Sequence, residues 1–221
     1  MPKHTTIATL IVLLFSALTP AQETGRLAIG AKAGTLGLGG EVMVNVMPDV
    51  NLRLGIGTFS FSHDEEYSDV DYDFDLDLLN YPITLDWYPF GGDFHLSAGL
   101  VINESDFSLD SSYSGSITIG DTTYTAGEVG VLSGDVSFNG IAPYIGLGWG
   151  NAFDPEKRWG FVTDLGIAFI DSPNVDLSPT GTLASDVGFL VDLAAETADI
   201  EDDLEDFVIY PVFSASLYFR F

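Results

Sequence analysis

Six charged residues stand apart because each falls on the small or polar face of a segment that alternates with period two. They are Lys32, Glu41, Arg53, Asp86, Asp164 and Arg220. If those faces line the inside of a closed sheet, each ion must be paired or its burial costs several kcal/mol. Lys32 and Arg53 are the cations expected near the middle of such an interior, with Glu41, Asp86 and Asp164 as partners. Two roles remain open for this set: a structural plug of ion pairs, or the polar lining of a narrow or gated pore. No Gly-x-Ser-x-Gly elbow, zinc-ligand cluster or phosphate-binding loop accompanies them. The chain reads as a non-enzyme without a cofactor.

A second group is acidic. Asp64, Glu65 and Glu66 are followed by Asp69, Asp71, Asp73, Asp75 and Asp77. A calcium loop of the EF-hand kind needs glycine at its sixth position, and counting from Asp69 that position is Phe74. The stretch is therefore expected to be a solvated, self-repelling loop. Loose divalent-cation binding at Asp69, Asp71 and Asp73 is the alternative. The formal net charge of −26 argues against nucleic-acid binding, and against anionic surfaces unless divalent cations intervene.

The segments that must carry these residues are strands. Mean hydropathy is positive, +0.25, despite the charge. That combination suits apolar residues spread over alternating strands, with acids gathered in loops. Residues 1–21 read as a cleaved signal peptide: Lys3 and His4, an apolar run from Ile7 to Leu18, then Thr19-Pro20-Ala21. Residues 22–221 form one domain. With no cysteine in the chain, a lipid-anchored cysteine and disulfides are excluded. Strands are expected at 26–34 and 37–47 (or one long strand across both), 52–61, 71–88, 94–103, 141–149, 159–169 and 208–221. The apolar face of 71–88 changes phase near Leu78-Leu79, which predicts a β-bulge there. A small hairpin is expected around Gly120-Asp121, and a helix over 191–206 with Leu193, Ile200, Leu204 and Phe207 as its stripe.

Eight strands with short turns at 48–50, 89–93 and 153–158, and long connections at 62–70, 105–135 and 171–206, predict an all-β, antiparallel up-and-down transmembrane barrel with long outer loops. The tight turn near 34–37 breaks that rule. Trp87, Trp149 and Trp159 all fall on the apolar face beside short turns, as half of an aromatic girdle would. The final strand, VIYPVFSASLYFRF, alternates to its end and finishes on Phe219 and Phe221.

That final strand resembles the signature of Gram-negative outer-membrane barrels, and the whole pattern resembles the small eight-stranded kind. These include the outer-membrane protein W family and the transmembrane domain of outer-membrane protein A. The resemblance implies a monomer in the bacterial outer membrane, contacts with its lipid and lipopolysaccharide, and delivery by the barrel-assembly machinery through Phe219 and Phe221. Such a barrel is envelope-structural or passes small or apolar solutes; a wide porin needs about twice the strands. Surface adhesion or cation binding by the acidic loops is a further alternative. His95-Leu96-Ser97 resembles the His-x-Ser pair of outer-membrane lipid A deacylases, which implies a lipid-modifying hydrolase. Against it, Ala98 replaces the asparagine of that family, and the strand phase turns His95 and Ser97 inward near a short turn. A secreted β-sandwich is the alternative fold.

Overall fold

Glycine, alanine and serine on one face of a strand, with branched or aromatic residues on the other, let a sheet curl until its edges meet. The computed structural model of the chain shows that closure. It describes residues 27–67, 70–113, 115–120, 122–154, 156–204 and 208–221, apart from the side chains of 65–67, 70, 71 and 113. The expected leader, Asp69, Asp121 and Phe207 lie outside the described residues, as does the side chain of Asp71.

In chain order the strands are β1 Leu27–Gly34, β2 Gly37–Met47, β3 Val50–Tyr67, β4 Val70–Trp87, β5 Phe94–Tyr113, β6 Ser116–Ile119, β7 Thr122–Thr125, β8 Leu132–Trp149, β9 Trp159–Phe169, β10 Asn174–Pro179 and β11 Ile209–Arg220. Among the described residues, β1, β2, β3, β4, β5, β8, β9 and β11 pair in that order, all antiparallel. The ring closes where Ala28 to Gly34 pair with Arg220 to Ser214. Residues 27–47 are two strands around Thr35-Leu36, as expected, and β6 and β7 form the expected hairpin. The loop helix spans Val187–Leu204, starting four residues earlier than expected, and buries Phe189 and Leu193.

Three expectations are corrected. The acidic stretch after His63 is not a loop, because β3 continues to Tyr67 and pairs with the aspartate half of β4. In the same way β5 runs on to Tyr113 and β8 begins at Leu132, so most of 105–135 is sheet. Nor is there a bulge at Leu78-Leu79. Asp77 opposes Asp106 and Asn80 opposes Asn103, which is one unbroken register on β5.

What changes near Leu78 is the chemistry of the two faces. Below it, Ile83, Leu85 and Trp87 point outward while Asn80, Thr84 and Asp86 point in. Above it, Asp73, Asp75 and Asp77 point outward and Phe74, Leu76 and Leu78 line the concave side. β5 and β8 invert at matching heights: Leu100 and Ile141 are outward below, Asp106 and Asp135 outward above. Inside, Phe61, Phe74 and Phe107 form a row with ring centroids 6.2 and 4.8 Å apart. A period-two pattern that keeps its register but swaps polarity is what a strand crossing from one solvent into another is expected to show. The sheet is also lopsided. β1, β2, β9 and β11 end near this level, whereas β3, β4, β5 and β8 rise above it, with β10 added beside β8.

The early stop of β1 and β2 depends on the turn between them. Gly37 has φ +102°, and a Cβ there would stand 2.8 Å from the Thr58 backbone. Gly37→Ala is expected to destabilise the barrel by roughly 1–3 kcal/mol, measured as a lower urea midpoint for loss of its heat-modifiable gel band.

Candidate functional site

β3 carries Arg53 on its inward face, beside Asp86 of the paired strand β4, and the closure of the ring brings Asp164 of β9 to it. Arg53 Nη1 donates to Asp164 Oδ2 at 2.7 Å, and Nη2 to Asp164 Oδ1 at 2.9 Å and Asp86 Oδ1 at 2.8 Å. The fork of the guanidinium thus holds one carboxylate with both arms and reaches a second. Ser97 of β5 donates to Asp86 Oδ1 at 2.7 Å, and Ser214 of β11 to Asp164 Oδ2 at 3.1 Å. Nε2 of His95 lies 3.0 Å from Asp164 Oδ1. Arg53, Asp86, His95, Ser97, Asp164 and Ser214 are all buried. This one network ties five of the eight strands across the lumen.

A second cluster lies beside it. Lys32 Nζ is 3.2 Å from Glu41 Oε2, and the other carboxylate oxygen of Glu41 accepts hydrogen bonds from Ser216 and Tyr218. Apolar layers close the lumen on both sides of these ions. Below lie Ala28, Met43, Val162 and Tyr218 with Ala152. Above lie Leu36, Val101, Ala142, Tyr144, Ala168 and Val212. The space left among Arg53, Thr84 and Tyr144 is about 10 Å³, too little for a water-filled path. Small residues make this fit possible: a Cβ at Gly148 would collide with the ring of His95.

Leu36 is the piece that strand patterning does not foresee. It sits in the tight first turn, which folds inward over the lumen. Thr35 Oγ1 donates to Pro211 O at 3.1 Å, Tyr210 Oη donates to Thr35 O at 2.6 Å, and Asn80 Nδ2 donates to Leu36 O at 3.3 Å. The turn that broke the short-long alternation is short because it serves as a cap. Above it opens a cavity of about 670 Å³, walled by Leu76, Leu78, Phe107, Val136, Phe138 and Ile170.

The other sequence candidates are dispersed. Arg220 is half-buried at the lower rim, near Asp154, and does not join the Arg53 cluster. The Glu156 N–H, then Lys157 at 3.1 Å, hold the Asp154 carboxyl below its usual value. Trp87, Trp149 and Trp159 stand outward at the end of the barrel that carries the short turns, 53%, 62% and 60% exposed. Phe219 packs on Trp159 and Phe221, with centroids 4.8 and 5.2 Å apart. Asp73 points outward, opposite Asp64 and Asp110. Among the described residues no group of three or more His, Cys, Asp or Glu is placed to hold a metal ion. His95 and Ser97 bond to different acids inside the lumen and offer no exposed nucleophile. Ser97, Ser214, Ser216 and Tyr218 share the inward parity of the ions, so period two alone would have found them as partners.

Over the taller side, Phe189 and Leu193 of the loop helix pack on Ile119 of the β6–β7 hairpin and on Val129 of the short helical turn Ala126–Val129 that follows it. Tyr124 Oη donates to Asp192 Oδ2 at 2.6 Å, which raises the phenol and lowers the carboxyl from their usual values. A carboxyl depressed by folding contributes above its unfolded pKa, and that contribution disappears as pH falls through its folded value. Protection factors in the β6–β7 hairpin, with the intrinsic pH dependence of exchange divided out, are therefore expected to fall on acidification below the ordinary carboxyl range. Tyr124→Phe should weaken that dependence without abolishing it, since Thr122 also lowers Asp192 and Thr125 lowers Glu128.

The fold is an eight-stranded antiparallel barrel, and solved structures share it. The chain superposes on Acinetobacter baumannii CarO2 with a TM-score of 0.59 at 22% identity, over 90% of this chain and 100% of that one. For Acinetobacter baumannii CarO the TM-score is 0.58 at 23% identity, over 91% and 100%. Neither a protein-family model nor a curated protein matches the sequence.

Proposed function

We propose that this is a non-enzymatic outer-membrane barrel whose lumen is sealed by ion pairs, with an envelope-structural role. The observation that carries it is Arg53, gripped by Asp86 of the neighbouring strand and by Asp164 from across the lumen, between two apolar layers. An outward band of Ile, Leu, Val, Phe and Trp with a girdle at one edge suits lipid and not water. On this reading the partners are outer-membrane lipid around the band, lipopolysaccharide at the acidic rim with divalent cations between them, and the assembly machinery that reads Phe219 and Phe221. The barrel is a monomer. Refolded, heat-modifiable protein in a planar bilayer is expected to show no single-channel steps. Reproducible steps from wild-type protein would overturn the sealed lumen.

Gated passage of small or apolar solutes is the second reading, favoured by the cavity that ends on the Leu36 cap. It requires that Leu36→Gly produce conductance, whereas a sealed plug of ions beneath the cap keeps that variant silent. The hydrolase reading has the least support, since Ser97 is committed to Asp86. Ser97→Ala is expected to leave lipid A acylation unchanged by mass spectrometry.

A further inference from the structure

Above the level at which β1 and β2 stop, the tall wall of β3, β4, β5, β8 and β10 is an open sheet with two edges. The β10 edge is covered. Val175 is buried there, its N–H donates to Glu201 Oε1 of the loop helix at 3.1 Å, and Pro179 ends the strand with no N–H to offer. Sheet edges are normally blunted in such ways, or by lysine. The upper part of β3 has none of these devices. Its last pair with β2 is Thr58 with Leu38, and among the described residues Phe59–Asp64 pair with β4 alone. All six are exposed, on both faces of the strand, and none is proline or lysine. Phe59 and Phe61 are 42% and 46% exposed. Every second residue of such an edge turns its N–H and C=O away from the sheet, ready to pair.

The outer face beside this edge is acidic. Ser60, Ser62 and Asp64 lie opposite Asp77, Asp75 and Asp73 of β4. Asp77 and Asp73 in turn lie opposite Asp106 and Asp110 of β5. Like charges opposed across strands destabilise a sheet. No lysine or arginine of these segments offsets them, since residues 54–156 and 159–219 contain neither. A strand laid against β3 would stand about 10 Å from β4, two strand spacings. Ser60 and Ser62 are short, so long basic side chains on its outer face would clear them and meet Asp77 and Asp75. Apolar side chains on its other face would cover Phe59 and Phe61.

We propose that the upper edge of β3 takes up an extended cationic peptide as an added strand, one in which basic and apolar side chains alternate. Main-chain hydrogen bonds to Phe59–Asp64 supply affinity, and the alternation supplies selectivity. A second copy of the chain fits worse, because pairing two β3 edges brings two uncompensated acidic faces together. Uptake of the peptide lies outside the lumen, so it goes beyond the structural role proposed above and does not depend on whether the lumen is sealed.

The test uses wild-type protein in phosphatidylcholine nanodiscs and the fluorescein-labelled peptide Lys-Val-Lys-Val-Lys-Val-Lys, read by anisotropy against empty discs. Saturable binding to the loaded discs is expected, and its absence overturns the proposal. The same peptide with every backbone amide methylated keeps its charge and its valines but donates no ladder bond. It is expected to bind at least about tenfold more weakly; equal affinity would reveal attraction to the acidic face alone and overturn strand addition. Ser60→Lys with Ser62→Lys changes two exposed side chains and should weaken the unmethylated peptide about tenfold. Unchanged affinity would place the peptide elsewhere and overturn the assignment of the edge. Wild-type protein is expected to sediment as a monomer in detergent; a dimer that excess peptide leaves intact would give the edge to a second copy and overturn the proposal too. The two peptide comparisons need no variant, so a folding defect in the lysine pair leaves the test intact.

Discussion

Arg53→Ala is expected to destabilise the barrel by about 3–5 kcal/mol, read as a large fall in the urea midpoint of the heat-modifiable form. The substitution removes three charge-assisted bonds and leaves Asp86 and Asp164 facing each other inside a packed lumen. Asp86 Oδ2 already lacks a described partner, and the serine hydrogen bonds that remain, Ser97 to Asp86 and Ser214 to Asp164, bring no compensating charge. The sign should reverse when all three ions are removed together. Arg53→Met with Asp86→Leu and Asp164→Leu exchanges a desolvated network for apolar packing, a change that is neutral or stabilising by about 1–4 kcal/mol in comparable cases. A structural plug tolerates that triple change without conductance. If the triple variant is as unstable as Arg53→Ala, the ions are irreplaceable for shape and not merely for mutual compensation.

Ile145→Arg should be the next most damaging change, costing about 2–4 kcal/mol when the barrel is folded in lipid. Ile145 lies midway between Trp149 and Ile141 on the outward face of β8, 54% exposed and flanked by Ala98 and Ile167. Its exposure would be unremarkable for a charge in water; only a hydrocarbon surround makes it costly. Asp77→Arg, above the level where the outer face becomes polar, is expected to cost about 0–1 kcal/mol. Folding titrations in lipid vesicles would read the contrast. Equal costs at the two positions would place the outer boundary of the apolar band elsewhere.

The two clusters show how far the chain could be read in advance. Arg53, Asp86 and Asp164 were legible because period two puts all three on inward faces, and desolvation then demands that they pair. Which acid Arg53 takes was not legible, because β3 and β9 meet only through closure of the ring. Lys32 and Glu41 belong together because β1 and β2 share a hairpin, a local fact. Arg220 has the same parity but lies too near the end of β11 to reach the plug, a matter of height and not of face.

The polarity swap on β4 was equally visible, as Tyr72, Phe74, Leu76 and Leu78 against Asp71, Asp73, Asp75 and Asp77. A bulge was its natural sequence explanation, because residue types alone cannot tell a shifted register from a changed solvent. The unbroken pairing through Asp77 and Asn80 rules out the shifted register. Alternation by itself determined the eight ring strands, though not their upper extensions, and the outward placement of Trp87, Trp149 and Trp159, since each is a property of neighbours two residues apart. Only the tertiary structure decided the partners of the ions, the cap formed by Leu36 and the cavity above it. Those depend on distances between residues far apart in the chain, which ring closure sets and periodicity does not encode.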